Sequence, residues 1–117
     1  MDDDHSGLAS LVGDRLTAIT FVHDYVQFAF DGGGLTAFSP PRVLATDATR
    51  TTFPQPGSRD VLCALIGIEV QQAGADDGRI RVEFTDGRAL EIPVKDASYT
   101  SAEAAIFRPR EGTMVVW

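Results

Sequence analysis

Apolar residues recur at every second position in two separate stretches of the chain. In the first, Val26, Phe28 and Phe30 alternate with Tyr25, Gln27 and Ala29. In the second, Ile80, Val82 and Phe84 alternate with Arg79, Arg81 and Glu83. A period of two marks strands that turn one face toward a core. The surroundings of the two stretches are alike. A short apolar turn of helix comes first, over "SGLASLVG" (6–13) and "SRDVLCALIG" (58–67). Ser6 and Ser58 stand where a hydroxyl can cap a helix start. Gly13 and Gly67 stand just past its end, where a positive φ is needed. Three strands follow each turn, near 15–22, 25–31 and 35–39, then near 68–74, 79–85 and 89–94. Asp31-Gly32 and Asp86-Gly87 read as hairpin turns, since both residue types tolerate positive φ. Asp77-Gly78 reads as another, and His23-Asp24 as a looser one.

The likeness extends to a register. Leu8, Leu11 and Gly13 fall on Leu62, Leu65 and Gly67 at an offset of 54 (Leu11 to Leu65). Val12, Leu16, Val26, Phe28 and Phe30 then meet Ile66, Val70, Ile80, Val82 and Phe84. Asp31, Gly32 and Leu35 meet Asp86, Gly87 and Leu90 at an offset of 55 (Asp31 to Asp86), which one inserted residue at Thr85 explains. Matches that keep their order and apolar spacing read as an internal duplication. The expected fold is mainly β (α+β): a duplicated short helix plus three-strand antiparallel meander with a pseudo-twofold, closed by a C-terminal strand. Residues 1–117 are expected to form one domain, with repeat units near 6–39 and 58–94.

The rest of the chain lacks this clarity. The segment "SPPRVLATDATRTTFPQPGSR" (39–59) holds four of the six prolines. It has no helical period, and its prolines argue against a central strand. Residues 40–57 therefore read as a long ordered linking loop, with one short edge strand near Arg42 to Ala45. Ser101 to Phe107 reads as a short helix with Ser101 as cap, and Thr113 to Trp117 as the last strand. A chain ending in Val-Val-Trp has to pack that end or expose a sticky edge.

The two units differ on their outward positions. Strict alternation puts Arg79, Arg81, Glu83, Thr85 and Glu91 outward in the second, which suits water. It puts Ile19, Phe21, Tyr25, Gln27, Ala29 and Phe38 outward in the first, which does not. Burying a large apolar side chain is worth about 1.5–3 kcal/mol, so something should cover this face. Two covers are open: the chain's own tail, through Ala105, Ile106, Phe107, Val115 and Trp117, or a partner, either a protein or a second copy.

Charge narrows the partner. The net charge is −7, so a phosphate backbone would be repelled and nucleic acid is not expected. Ten of the 17 acids cluster around the first unit and the second alternating stretch, which serves solubility or meets a basic protein. No apolar run approaches the roughly 20 residues of a spanning helix, and the start "MDDDHSGLASL" lacks an export signal. No membrane partner is expected. One cysteine, Cys63, excludes an intrachain disulfide and suits a reducing compartment, so the expected location is cytoplasmic.

Chemistry-bearing patterns are sparse. The phosphate-loop, zinc-protease and nucleophile-elbow motifs are absent from the sequence. "GGGLTA" (32–37) fits a loose dinucleotide pattern, but no helix follows, so a hairpin turn is the better reading. "DDDH" (2–5) could hold a metal, although a terminal segment makes a poor site. No metal and no cofactor is expected. Cys63, between Leu62 and Leu65, reads as a small buried hydrophobe. His23 and Asp24 could form an acid–base pair, but adjacent turn residues are usually just solvated. The linking loop is the best binding candidate, because Arg42, Arg50 and Arg59 make it basic in an acidic chain. The same arginines could equally pair with the protein's own acids. No catalytic residue is assigned. The leading reading is a non-catalytic protein-interaction module that uses Phe21, Tyr25, Phe38, His23, Asp24 and the three arginines. The alternative is a small-molecule binder or enzyme with a pocket between the units.

The phrases "DYVQFAFDGGGL", "LIG", "VEFTDGRALEIPV" and the closing "VVW" resemble a family of small uncharacterised bacterial proteins. The pattern runs through Asp24-Tyr25, Gly67, Phe84, Asp86-Gly87, Leu90, Tyr99 and Trp117, and covers most of the chain outside the middle loop. The resemblance implies no known reaction. Some acidic bacterial proteins of this size neutralise toxins as immunity proteins, which is an analogy of size and charge.

Overall fold

The computed structural model describes residues 7–23, 25–76, 78–94, 104–110 and 112–117. The chain is mainly β, with two antiparallel sheets. The first contains β1 (Leu16–Val22), β2 (Tyr25–Phe30), β3 (Gly33–Ala37), β9 (Ala105–Pro109) and β10 (Val115–Val116), in the order β1-β2-β3-β9-β10. The second contains β4 (Arg42–Leu44), β5 (Arg50–Thr52), β6 (Val70–Ala75), β7 (Arg79–Phe84) and β8 (Ala89–Pro93), in the order β5-β4-β8-β7-β6. A 3-10 turn, Leu8–Leu11, precedes β1, and α1 (Ser58–Cys63) precedes β6.

The alternating stretches become β2 and β7, and their apolar residues point into one core. Val26, Phe28, Phe30, Leu35 and Phe107 come from the first sheet; Val43, Val70, Ile80, Val82, Phe84, Leu90 and Ile92 come from the second. Leu8, Leu11, Leu62 and Leu65 of the helical turns join the same cluster. Gly13 and Gly67 both stand at φ 92°, the left-handed conformation that ends each turn.

Strict alternation fails in β1, and the cause is local. Leu16 lies opposite Phe30, but Ala18 lies opposite Ala29, so two residues face one across the ladder. A bulge of this kind shifts every later side chain to the other face. Ile19 therefore lies opposite Phe28 and Phe21 opposite Val26, on the core side. Their expected outward placement is corrected: both pack against the core cluster. A bulge also sits between Val70 and Gln72 in β6.

Four further expectations change. The linking loop holds the expected strand near Arg42 as β4, but β4 is not an edge: β5 pairs beyond it in a hairpin closed by the Ala45 N–H donating to Thr49 O at 2.9 Å. The helix expected over Ser101–Phe107 is instead strand from Ala105 onward, because Ala105 and Phe107 both face the core and β9 completes the edge of β3. Residues 101–103 lie outside the described residues. Close pairing of β3 with β9 needs a glycine: a Cβ on Gly33 would stand 2.9 Å from Arg108 O. Ser58 does not cap α1. Gly57 holds the cap position at φ 84°, and the buried Ser58 Oγ has no hydrogen-bond partner. Ser6 is not among the described residues, and Cys63 is exposed rather than buried.

The hairpin turns also differ from each other. Phe84 N donates to Arg88 O at 2.9 Å, Gly87 N donates to Phe84 O at 3.0 Å, and Gly87 stands at φ 93°. Thr85, Asp86 and Gly87 thus make a three-residue loop with its glycine in the left-handed position. Asp31 and Gly32 connect β2 to β3 without positive φ. Their turn is held from outside: Gly32 N donates to Asp14 Oδ2 at 2.9 Å, and Arg15 N to Asp31 Oδ2 at 3.0 Å. Val22 pairs with Tyr25 across the His23 turn, whose Asp24 lies outside the described residues.

Candidate interaction surface

The outer face of the first sheet follows from its register. Ala18 lies opposite Ala29, Thr20 opposite Gln27 and Val22 opposite Tyr25. Gly34 and Thr36 continue the face on β3, then Ile106 and Arg108 on β9 and Val116 on β10. Ala18, Thr20, Gln27, Ala29 and Val116 are exposed. Among these residues Arg108 carries the sole charge. Four strand spacings of about 4.8 Å make the face about 20 Å wide. The described residues of the tail do not cover it. Ile106, Val115 and Trp117 belong to the sheet's own margin, where Ala104 N donates to Trp117 O at 2.7 Å and Trp117 N to Ala105 O at 2.9 Å.

An aromatic group sits at one end of this face. The Tyr25 and Phe38 rings lie 5.4 Å apart. With His23, Pro40, Pro41 and Phe53 they line a cavity of about 110 Å³. Behind it the Phe21 and Phe53 rings stack at 5.5 Å, and the Arg59 guanidinium lies 5.6 Å and 5.1 Å from their centres. This stack joins the first sheet to the segment after β5 and to α1. An arginine over an aromatic face is worth about 0.5–1 kcal/mol at an exposed site.

The structure brings Tyr25, Phe38 and His23 together and places Phe21 and Arg59 directly behind them. Asp24 lies outside the described residues, as does the "DDDH" segment. The three loop arginines do not form one basic site. Arg59 covers the aromatic stack, Arg50 is exposed on the outermost strand of the second sheet, and Arg42 Nε donates to Glu91 Oε1 at 2.9 Å.

Arg42 belongs to a charge ladder on the outer face of the second sheet. Arg81 spans two acids, donating from Nε to Glu83 Oε2 at 2.9 Å and from Nη1 to Glu91. Arg79 Nη1 lies 3.4 Å from Glu91 Oε2. Glu91 is fully buried beneath these side chains, so its expected place on a wet face is corrected. Burial pushes the Glu91 carboxyl up, while the Arg42 hydrogen bond, the Arg79 charge and the Arg81 hydrogen bond outweigh it. The net result holds the group below the ordinary glutamate value. Sequence reading missed Glu91 and Phe53. Glu91 carried one usable signal, a single acid between the inward Leu90 and Ile92, with arginines at the outward positions of the next strand.

Beside β6 a groove of about 440 Å³ lies among Val12, Ala73, Ala75, Arg79 and Arg81. At the 54-residue offset, β6 carries Ala73 and Ala75 where β1 carries Ile19 and Phe21. Among the described residues no helix is long and apolar enough to cross a membrane.

The fold and faces define a mainly β chain built from two five-stranded antiparallel sheets. Compared with protein-family models, curated proteins and solved structures, the chain matches none.

Proposed function

We propose that the chain is a non-catalytic protein-interaction module of duplicated design, which docks a protein on the outer face of its first sheet. One observation carries this reading. At corresponding positions one sheet has a ladder of paired charges and the other has Tyr25, Gln27, Ala29, Thr36 and Ile106. Removing the apolar surface of Ala29, Ile106 and the Tyr25 ring from water is favourable, Gln27 and Thr36 can hydrogen-bond a partner, and small side chains let it approach closely. The Tyr25–Phe38 pair and its cavity supply an anchor, since aromatic residues in pockets dominate interface energies. A partner of basic character is favoured, because the net charge of −7 steers it at a distance. Neutralisation of a basic toxin is one version of this reading. We place the module in the cytoplasm, where a lone exposed thiol such as Cys63 stays reduced.

Duplication is supported by main-chain bonds that occur twice at one offset. Gly13 N donates to Val70 O at 2.9 Å and Gly67 N to Leu16 O at 2.7 Å. Val70 N donates to Asp14 O at 2.8 Å and Leu16 N to Ile68 O at 3.3 Å. Asp31 N donates to Arg15 O at 3.2 Å and Thr85 N to Glu69 O at 2.9 Å, while Arg15 and Glu69 bridge each other. A pseudo-twofold axis through that bridge generates every one of these pairs.

A photo-crosslinking side chain at Ala29, compared with one at Gln72 on the second sheet, tests the docking face in cells. A discrete protein adduct from position 29 and none from 72 is expected. Equal adducts from both, or none from position 29, would refute the reading.

A further inference from the structure

Each sheet is finished by strands from the other half of the chain. Hairpin β4–β5 follows β3 in sequence, yet it pairs with β8; hairpin β9–β10 follows β8, yet it pairs with β3. The two additions share one register. Val43 lies between Leu90 and Thr51, as Phe107 lies between Leu35 and Val115. Leu35 and Leu90 are themselves matched in the sequence repeat. The pairs Arg42↔Thr52 and Ile106↔Val116 fall in step with this. Sequence comparison finds no likeness between the two hairpins, so their common register is independent of the repeat that revealed the meanders. The helical turns repeat the exchange: the first packs on β6 and β9, and α1 packs on β1, β4 and β5.

Contacts made twice with roles reversed define the self-complementary interface of a twofold dimer. Half one (7–52) and half two (58–117) therefore meet as two subunits would, joined only by Phe53–Gly57. We infer that the surface between the halves is also a binding surface for a second copy of this chain: half one of one copy engages half two of another, giving a reciprocally exchanged dimer. Outside Phe53–Gly57, every contact between the halves is the one already made within a chain. Only the course of the five linking residues differs. A short linker keeps the halves at an effective concentration in the mM range, so the monomer prevails when the protein is dilute. The inference rests on the duplicated-unit reading and not on docking at the first sheet, so the crosslinking result at Ala29 leaves it standing or falling on its own.

Two full-length variants provide the test. Phe28→Asp disables half one and Phe84→Asp disables half two, since both rings are about 1% exposed in the core. Unfolded separately and refolded together at 1:1, they are expected to yield a dimer in which one lobe is intact, with about half the strand circular dichroism of the wild type restored. A mixture with no more strand signal than the separate chains overturns the inference. A second measurement leaves the core untouched. Deleting Pro54–Gly57 removes the reversal between β5 and α1, and the mass by light scattering is expected to double with an unchanged spectrum. A native monomer overturns the inference, as does a chain that is unfolded at every concentration.

Discussion

Thr36 and Glu91 stand at corresponding places in the two sheets, each outward on the third strand of its meander. Thr36 has Ile106 and Gln27 as cross-strand neighbours, and Glu91 has Arg42 and Arg81. Both sites pair on two sides with antiparallel neighbours, and the side chains there differ in charge. On the second sheet Arg42, Arg79 and Arg81 converge on Glu91, and Arg81 also meets Glu83. On the first, no comparable ladder forms among the described residues, and none of them covers the face. One architecture thus carries a finished surface and an unfinished one.

The largest effect should come from breaking the ladder at its hub. Glu91→Ala leaves Arg42, Arg79 and Arg81 without their shared acceptor, and the loss is expected near 3 kcal/mol. The arginines are partly exposed and recover some hydration, which keeps the figure at the low end for a buried pair. Thr36→Ala should change stability by less than about 0.5 kcal/mol. Urea unfolding of both variants decides the matter; equal losses would mean that the ladder is ornamental.

A smaller effect tests why the open face is not more apolar than it is. The bulge after Leu16 turns Ile19 and Phe21 inward, so Phe21→Ala should cost about 2 kcal/mol through lost burial and the lost stack on Phe53. Thr20→Ala, one residue away on the outer face, should cost less than about 0.5 kcal/mol. If the two thermal melts move together, the register of β1 is not the one described.

This bulge is where sequence reading stopped. The alternation in β2 and β7 is legible because each has one wet face and one dry one, and Gly13 and Gly67 announce their turns through a conformation that few other residues accept. The bulge leaves no such mark, since any residue can be the extra one, and Thr17 looks like its neighbours. The strands near Arg42 and at the C-terminus were legible, but their pairing into exchanged hairpins was not, for another reason. Val43, Phe107 and Val115 occupy strands of two to five residues, too short to display a period, and their partners lie in the other half of the chain. Of the candidate site, Tyr25 and Phe38 were legible as outward aromatics. Phe53 was not, because its place depends on the fold of a proline-rich segment.

Acid separates the faces more gently. Glu91 has its folded value held below the ordinary one, so its contribution is fully present above the unfolded value and is lost as pH falls through the folded one. Asp86 acts in the same direction, its carboxyl lowered by the Arg88 side chain despite partial burial. Wild-type stability should therefore decline between neutral pH and strongly acidic pH, and Glu91→Gln should decline less. The gap between the two urea midpoints should narrow as pH falls. Parallel lines would show that Glu91 does not carry the difference.

The smallest change in stability should give the clearest functional answer. Thr36→Glu places a carboxylate in the middle of the open face, where it remains hydrated in the free protein, so folding should shift by no more than about 0.5 kcal/mol. A docked partner meets an uncharged threonine here, so it would have to desolvate the new carboxylate at a contact not built for it, with Arg108 diagonal to it, opposite Gly34, as this face's own cation. An unpaired buried charge costs several kcal/mol, enough to abolish most interfaces. The crosslinked adduct from position 29 should then vanish while the melting curve stays in place. Thr36→Gln, similar in size and uncharged, should keep the adduct. Should Thr36→Glu keep it as well, the partner sits elsewhere, and the open face needs a different explanation.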